Sequence, residues 1–436
     1  MVPSSQSGRS VTVYDGAGRR TAVTNARNNT TTYSYDPVGR MESETDPLGG
    51  TVTFGYDLAG QHVSVADPNG ATRMFGFDDG GRTTTATDAL GRATTYGYDA
   101  VGRQVQMTDA RGIVVNSVFD AAGQLAGQTS PNETRSYAYD GAGRMTEWTD
   151  ITGTTTQSFD DAGRVTEVAA PAGTVGYSYN AAGERIGMSQ PEGSVAYTYD
   201  VNGYQATVTD WRNETITVAN DPDGRVAGLS RSNGVDSVHS FDNAGRLVEI
   251  AHTGPAGLID SFGYTLDGNG NRTQVTSTAG TESYTLDELN RLTGVSYPDA
   301  TVEVFGYDPA SNRTSHTRVD GATVGYTVDA VGQLVSDTDG VAYSYDAAGN
   351  LTGTSAGDSY TFDDYGRMVA ATANGVSQTY VYDAAGVRTA VDGQPQVWDG
   401  HKQLLLNVQS SHSGAPRLQN NYLQYNVVFL LCKLIF

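Results

Sequence analysis

The chain is built from short stretches in which every second residue is aromatic or aliphatic, separated by polar turns. Val52, Phe54 and Tyr56 would share one face of an extended segment, whereas the residues between them are threonine or glycine. A period of two residues is typical of β-strands, and Thr, Val, Tyr and Phe are strand-favouring residues. The pattern therefore predicts many short strands, and no stretch has a helical period longer than one turn.

The turns themselves repeat. The motif aromatic-Asp-x-x-Gly-Arg occurs in 19 registers about 20–21 residues apart, from Tyr14 to Tyr382. A second turn, Asp-x-x-Gly in the early copies, divides each period almost equally, as at Asp46 to Gly49. Each repeat thus holds two strands. A sustained period of this length indicates a repeat architecture, so the chain is not a row of unrelated domains.

We predict a structural role for the residues of the first turn. Asp can accept hydrogen bonds from backbone N–H groups two residues on, and Gly tolerates the positive φ that closes a tight turn. Arginine follows the fifth position of the motif directly in ten copies and one residue later at Arg185, Arg272, Arg313 and Arg388, where it would offset the charge of stacked aspartates. The turn residues assigned this role are Tyr35, Asp36, Gly39, Arg40, Tyr56, Asp57, Gly60, Tyr98, Asp99, Gly102, Arg103, Tyr139, Asp140, Gly143, Arg144, Tyr345, Asp346, Gly349, Phe362, Asp363, Gly366 and Arg367.

These patterns predict an all-β fold. A single 20-residue hairpin cannot bury its aromatic face, so neighbouring hairpins should pair into a continuous antiparallel sheet that coils into a spiral shell or an open barrel segment. The expected organisation is a lead-in over residues 1–10, a region of 19 repeats over 11–393, and a divergent tail over 394–436. The tail holds the only lysines, Lys402 and Lys433, and the single cysteine, Cys432, and we expect it to be non-native or poorly ordered.

Composition narrows the classes of partner. A net charge of −22 and a pI near 4.5 argue against nucleic acid or an anionic membrane as the main partner. No apolar run approaches the ~18 residues of a membrane-spanning helix, and residues 1–10 lack the apolar core of a secretory signal. We therefore predict no membrane span.

The search for catalytic or metal-binding residues yields no enzyme motif. The six histidines have no ligand spacing, and no nucleophile elbow or phosphate-binding loop is present. Asp267 to Asn271 begins like a calcium loop, but Arg272 and Thr278 occupy the positions that need glycine and an acidic residue. A loosened repeat turn is the favoured interpretation, with weak calcium binding between stacked turns as the alternative. We predict a non-enzymatic chain without cofactor, catalytic or metal site.

The recurring motif, as in Tyr98-Asp99-Ala100-Val101-Gly102-Arg103, resembles the YD repeat of RHS-repeat proteins. That family includes bacterial RHS polymorphic toxins, the C component of insecticidal toxin complexes and the teneurins. The resemblance covers about residues 11–393. It implies a hollow shell that encloses a C-terminal effector, a delivery or cell-surface partner, and a secreted or cell-surface location. Nothing after Arg388 resembles the core-associated region of the family, so we expect a chain truncated before that region.

Two functions follow from the sequence. The first is a scaffold that forms part of a shell and encloses or presents an effector of contact-dependent or secreted toxin systems. The second is a cell-envelope or extracellular segment that binds glycans or cell surfaces through exposed aromatic rings. Only Trp148, Trp211 and Trp398 are tryptophans, and their scatter does not favour a carbohydrate platform.

Overall fold

The computed structural model describes residues 9–398 and 404–407. Every regular element in this part of the chain is a β-strand. Among these residues no helix is present that could cross a bilayer. The prediction of an all-β chain made of short strands is confirmed.

The strands follow one another with two per repeat. The first ten are Val11–Tyr14 (β1), Arg20–Thr24 (β2), Thr30–Tyr35 (β3), Met41–Thr45 (β4), Thr51–Tyr56 (β5), His62–Ala66 (β6), Thr72–Phe77 (β7), Thr83–Thr87 (β8), Ala93–Tyr98 (β9) and Gln104–Thr108 (β10). The next fifteen are Val114–Phe119 (β11), Leu125–Thr129 (β12), Thr134–Tyr139 (β13), Met145–Asp150 (β14), Gly153–Phe159 (β15), Val165–Ala170 (β16), Gly173–Tyr179 (β17), Arg185–Gln190 (β18), Gly193–Tyr199 (β19), Gln205–Thr209 (β20), Thr215–Asn220 (β21), Val226–Arg231 (β22), Asp236–Phe241 (β23), Leu247–Gly254 (β24) and Gly257–Leu266 (β25). The remaining strands are Arg272–Ser277 (β26), Gly280–Leu286 (β27), Leu292–Ser296 (β28), Val302–Tyr307 (β29), Arg313–Thr317 (β30), Thr323–Val328 (β31), Leu334–Asp337 (β32), Tyr343–Tyr345 (β33), Leu351–Thr354 (β34), Ser359–Phe362 (β35), Met368–Ala373 (β36), Val376–Tyr382 (β37), Arg388–Val391 (β38), Gln394–Trp398 (β39) and Leu404–Asn407 (β40).

The chain divides into two units, each made of two separate stretches. Unit 1 comprises residues 1–112 and 238–356, and unit 2 comprises 113–237 and 357–436. In both units the strands pair antiparallel with their neighbours along the chain, as β3 does with β4 and β13 with β14. Strand pairing is therefore local in sequence, which is the expected behaviour of a hairpin repeat.

A β-bulge recurs after the first turns of the repeats. In β3 and β4, Tyr35 faces Met41, whereas Ser34 faces Ser43, so the second strand contains one extra residue. The same one-residue shift recurs at Tyr139 opposite Met145 and at Phe362 opposite Met368. A bulge increases the local twist of a strand pair, and its regular recurrence adds twist at every repeat.

The best-buried apolar core lies in unit 2. Val175, Met188, Val195 and Tyr197 form a cluster on one face of β17 to β19, and Val397 from β39 packs into the same cluster. Val175 is almost completely buried. In β17 to β19, therefore, the alternation of apolar and small residues places one face of the sheet in a core.

The predicted tail begins at residue 394, and two strands lie within it. Strand β39 pairs with β38 and with β40, so antiparallel pairing continues past the last motif that the sequence reveals. Lys402, Cys432 and Lys433 lie outside the described residues.

Candidate functional site

The first turn of each repeat is organised by its aspartate. In the turn after β3, Asp36 Oδ1 accepts hydrogen bonds from the backbone N–H of Val38 at 3.1 Å and of Arg40 at 2.8 Å. The N–H of Gly39 donates to the Asp36 carbonyl at 2.9 Å, and Gly39 has a φ of 96°. Glycine is needed at this point because other residues rarely adopt that backbone conformation.

The arginine of the motif joins one repeat to the next. Arg40 Nε donates to Asp36 Oδ2 at 2.7 Å, while Arg40 Nη1 donates to the backbone carbonyl of Asp57 in the following turn at 3.1 Å. Its guanidinium lies over the Tyr56 ring, 4.6 Å from the centroid. We call this set of contacts the arginine bridge. The sequence predicted only that arginine offsets the charge of the aspartates. In the structure a single arginine side chain also joins two consecutive turns.

The arginine bridge recurs along the chain. Arg82, Arg144, Arg164, Arg291 and Arg367 each pair with the aspartate of their own turn and donate to the carbonyl of the next turn. The motif tyrosine adds a further link between repeats, because its hydroxyl donates to a carbonyl in the preceding repeat. Examples are Tyr56 to Met41 at 3.0 Å, Tyr139 to Leu125 at 3.0 Å and Tyr345 to Leu334 at 2.9 Å.

The contacts with arginine change the acidity of the turn aspartates. The backbone N–H of Arg144, and then its guanidinium, hold the pKa of Asp140 below its usual value. The backbone N–H of Arg103 has the same effect on the pKa of Asp99, although partial burial opposes it. These hydrogen bonds favour the ionised carboxylate, so the turns are built for charged aspartate.

The turn residues predicted from the sequence lie within separate turns and are not gathered at one place. Four of the six chosen turns have the Asp–Arg ion pair, at 2.6–2.7 Å, in which the arginine is Arg40, Arg103, Arg144 or Arg367. Of the other two, Asn350 takes the place of arginine and donates its side-chain amide to Asp346 at 2.8 Å, whereas the Asp57 turn keeps the backbone bond from Gln61 N–H at 2.8 Å.

Four arginines differ from the prediction. These are Arg185, Arg272, Arg313 and Arg388, which stand two residues after the fifth position of the motif, and the sequence suggested that they too are turn partners. Instead they stack on tyrosine rings of adjacent strands, as Arg272 does on Tyr264 at 4.4 Å and Arg313 on Tyr326 at 4.7 Å. The reason is the alternation of a strand: a shift of one residue moves the side chain to the other face of the sheet.

In each unit the later repeats contact the earlier ones. In unit 1, Arg27 donates to the carbonyl of Asp287 at 2.7 Å, Asn69 to Asp308 at 2.9 Å, and Arg92 to Gln333 at 2.9 Å. We call these pairs, whose members lie about 230–260 residues apart in sequence, the return contacts. In every one a second turn of an early repeat contacts a first turn of a late repeat.

The return contacts of unit 2 include a buried ionic cluster. Glu133 forms ion pairs with Arg135 at 2.8 Å and with Arg367 at 2.9 Å, and both Glu133 and Arg135 are buried. The Arg135 guanidinium stacks on the Tyr365 ring at 3.3 Å, and Asn132 donates its backbone N–H and its side-chain amide to Asp364. No local sequence pattern marks this cluster, because its members lie more than 230 residues apart in the chain.

A second return contact of unit 2 joins two acidic residues. The backbone N–H of Ala384 donates to the Asp150 carboxylate, and Asp383 lies beside it. Asp383 has valine at the position where the motif has arginine, and burial raises the pKa of its carboxyl, with Asp150 raising it further. Its electrostatic state is thus opposite to that of Asp140.

No cluster of metal-ligating side chains occurs among the described residues. Asp267, where the sequence suggested the start of a calcium loop, forms the regular turn: its carboxylate accepts the N–H groups of Asn269 and Asn271 at 2.9 and 2.8 Å. The Arg27 guanidinium approaches the same carboxylate to 3.3 Å. The Asp267 carboxylate is therefore already bound by backbone N–H groups and by an arginine of the same chain.

Comparison with known proteins identifies these turns. The model of the RHS repeat matches residues 14–51, 77–114, 119–156, 143–175 and 159–195, and the model of the teneurin YD-shell matches residues 240–392. This chain is an RHS/YD-repeat protein. A comparison with curated protein sequences gave no match.

Solved structures share the fold of this RHS-repeat protein. A crystal structure of TcdB2-TccC3 superposes with a TM-score of 0.72 at 15% identity, covering 91% of this chain and 27% of the other. A Photorhabdus luminescens Tc holotoxin pore superposes with a TM-score of 0.72 at 16% identity, covering 89% of this chain and 26% of the other. The present chain thus spans about a quarter of the length of those proteins, and at this identity the similarity establishes the fold alone.

Proposed function

We propose that this chain is a non-enzymatic wall segment of a shell that encloses or presents an effector polypeptide. The observation that supports this most strongly is the arginine bridge, which recurs along the chain and ties seven repeats to the next. The return contacts then tie late repeats to early ones. A chain whose polar side chains are so widely used for holding its own repeats together is suited to a scaffold.

The partners proposed are an effector joined to the same polypeptide and a delivery component, as in the toxin complexes that share the fold. A secreted or cell-surface location accords with those relatives and with the teneurin YD-shell match. The chain has 49 acidic and 27 basic residues and is therefore strongly negative. This charge favours partners with basic surfaces.

The first test is to read the genomic locus in all frames beyond codon 400 and to express the longest product that contains this chain. We expect a core-associated segment and an effector, and we expect protease to spare the effector in the intact protein. The control is the same product with Glu133→Ala, which loosens a return contact and should expose the effector. An effector digested equally fast in both proteins would contradict enclosure, and a wall anchor in its place would favour adhesion.

The second candidate function, glycan binding, has one observation in its favour. A recess of about 810 Å³ in unit 2 is lined by Trp211 together with hydroxyl, amide and carboxylate side chains such as Ser178, Ser189, Asn213 and Asp210. Aromatic rings beside hydrogen-bonding groups are suited to sugars. Binding of the purified chain to a glycan array, abolished by Trp211→Ala, would support this candidate, and no binding would remove it.

A further inference from the structure

Unit 2 contains a largely apolar cavity with one acidic residue in its wall. It has a volume of about 410 Å³ and lies between strands β14 to β17 and strands β37 to β39. Aliphatic side chains form much of the lining, among them Val168, Pro171, Val381 and Val397. Asp383 is the one charged residue that the described chain contributes to the lining, and it is only 6% exposed. Cavities of about 300–1,000 Å³ with apolar walls and few polar groups are typical sites for small molecules.

Asp383 lacks the arginine that pairs with many of the turn aspartates. That arginine stands four residues after the aspartate and binds its second carboxylate oxygen, as Arg367 Nε binds Asp363 Oδ2 at 2.6 Å. After Asp383 the same position holds Val387, which also lines the cavity. Asp383 Oδ1 keeps the backbone bond of the turn, from the N–H of Val387 at 2.8 Å. The cavity therefore lies against a turn in which an aliphatic residue stands in place of the cation.

The charged groups around Asp383 do not replace that arginine. Arg367 donates to the backbone carbonyl of Asp383 at 2.7 Å, and its guanidinium also pairs with two other carboxylates. Arg388 donates to Gln396 Oε1 at 3.0 Å. Asp150 adds a second negative charge, and both of its carboxylate oxygens already accept hydrogen bonds from the chain. A buried charge costs stability unless it is paired, so a cation at this wall of the cavity would offset the cost.

The lining favours an organic cation over other ligands. Two carboxyl groups oppose an anion, because like charges repel strongly where water is excluded. A metal ion needs several oxygen, nitrogen or sulfur ligands, and no cluster of metal-ligating side chains occurs in the part of the chain that the structure describes. A neutral hydrocarbon would leave the Asp383 carboxylate without a cation. The aliphatic walls can cover the hydrocarbon part of a molecule, and that burial supplies affinity.

We propose that this cavity binds a small organic amine, with its ammonium group paired with the Asp383 carboxylate and its hydrocarbon body against the aliphatic walls. An ammonium group carries three N–H donors, and hydrogen bonds between charged groups are the strong ones. The amine takes the place that arginine occupies in the motif turns. This binding site goes beyond the scaffold role and shares no lining residue with the recess that contains Trp211.

The test compares benzylamine, a cation at neutral pH, with benzyl alcohol, an uncharged molecule of similar size. Binding of both probes to the full chain is measured at pH 7 by calorimetry or ligand-observed NMR. A hydrogen bond to a charged group changes affinity by about tenfold or more. We expect the wild type to prefer benzylamine by about that factor and Asp383→Asn to lose the preference. Asparagine occupies the same turn position at Asn180, so Asp383→Asn should fold.

Two further variants separate the site from the general negative charge of the chain. Asp161→Asn removes the same charge at an exposed turn position of unit 2 and should keep the preference for benzylamine. Val387→Arg restores the motif arginine, which should occupy the Asp383 carboxylate and abolish benzylamine binding in a chain that circular dichroism and melting show to be folded.

Four results would overturn the proposal. They are no binding of benzylamine to the wild type, equal affinities of the wild type for the two probes, a preference that persists in Asp383→Asn or in folded Val387→Arg, and a preference lost equally in Asp161→Asn. The last result would mean that the net charge of the chain, and not the cavity, attracts the amine.

Discussion

Aspartates at the same position of the repeat turn have opposite electrostatic environments. Asp140 receives the N–H and the guanidinium of Arg144, which lower its pKa below 3.8, whereas burial raises the pKa of Asp383 above 3.8. The difference follows from the residue four positions later, arginine in one turn and valine in the other. In both turns the aspartate accepts the backbone N–H of the residue four positions later, so the turn has the same conformation. Only the preferred charge of the carboxyl group differs.

Asp140→Asn should destabilise the chain at neutral pH. The folded-state pKa of Asp140 lies below its unfolded value, so the ionised group stabilises the fold above pH 3.8, and this contribution disappears as the pH falls through the lowered pKa. Asn180 occupies the same turn position and accepts the N–H groups of Ala182 and Glu184 at 3.0 Å, so asparagine preserves the backbone bonds. We expect a lower Tm at pH 7 and no difference from wild type at pH values well below 3.8. A deficit that persists in acid would show that charge is not responsible.

Asp383→Asn should have the reverse effect. The raised folded-state pKa means that the protonated carboxyl is favoured in the fold, so Asp383 costs stability as the pH rises from 3.8 through the folded pKa. Removing the charge should raise the Tm at pH 7 and leave it unchanged in strong acid. Thermal melts across pH, with Asp140→Asn as the matched control, check the sign. A lower Tm for Asp383→Asn at pH 7 would contradict the effect of burial on this group.

At the scale of the hairpin, loss of the arginine bridge should lower the thermal stability of the chain, because the bridge joins consecutive hairpins. Arg144 and Arg164 lie in consecutive repeats, and each joins its own aspartate to the next turn. The double variant Arg144→Ala/Arg164→Ala should lower the Tm by several degrees, because two ion pairs, two carbonyl contacts and two cation–π contacts are lost together.

The matched control removes the same charge elsewhere. Arg73 is exposed on β7, and Arg212 stacks loosely on Trp211 at 5.7 Å. The variant Arg73→Ala/Arg212→Ala should shift the Tm little. Equal shifts in the two double variants would mean that net charge, and not the bridge, accounts for the effect.

Glu133 should be the most sensitive single residue of the return contacts. It lies buried between Arg135 and Arg367, and Glu133→Ala leaves the buried Arg135 without its carboxylate and Arg367 with Asp363 alone. Breaking a buried ion pair by removing one partner costs about 3–5 kcal/mol. Denaturant unfolding of Glu133→Ala should show a loss of that order, whereas Glu147→Ala, at an exposed strand position, should not. A loss below 1 kcal/mol would mean that the cluster contributes no more than a surface pair.

The strands and first turns could be predicted from the sequence because they depend on neighbouring residues. Alternation placed Val175 on a buried face, and Asp36 and Gly39 defined a turn that the structure contains. The return contacts could not, since their spacing depends on the twist accumulated over many bulged hairpins.

At the scale of the whole molecule, sequential antiparallel pairing has a consequence for the ends of the sheet. Within the described residues, β1 pairs with β2 on one side only. Tyr14, the first motif tyrosine, is 61% exposed, whereas Tyr56 is covered by Arg40 of the preceding repeat. An exposed strand with unpaired N–H and C=O groups is a template for edge-to-edge association.

We therefore expect this chain to associate through β1. Val13→Lys places a charge on the edge strand, where Val13 is 50% exposed, and should shift the protein towards the monomer in sedimentation velocity experiments. Val38→Lys is the matched control. Val38 is 76% exposed at a turn tip, so a lysine there adds the same charge away from the edge strand. Association that falls equally in both variants would indicate a general effect of reduced net negative charge. Association lost only in Val13→Lys would identify β1 as the contact, because the two variants differ only in where the lysine stands.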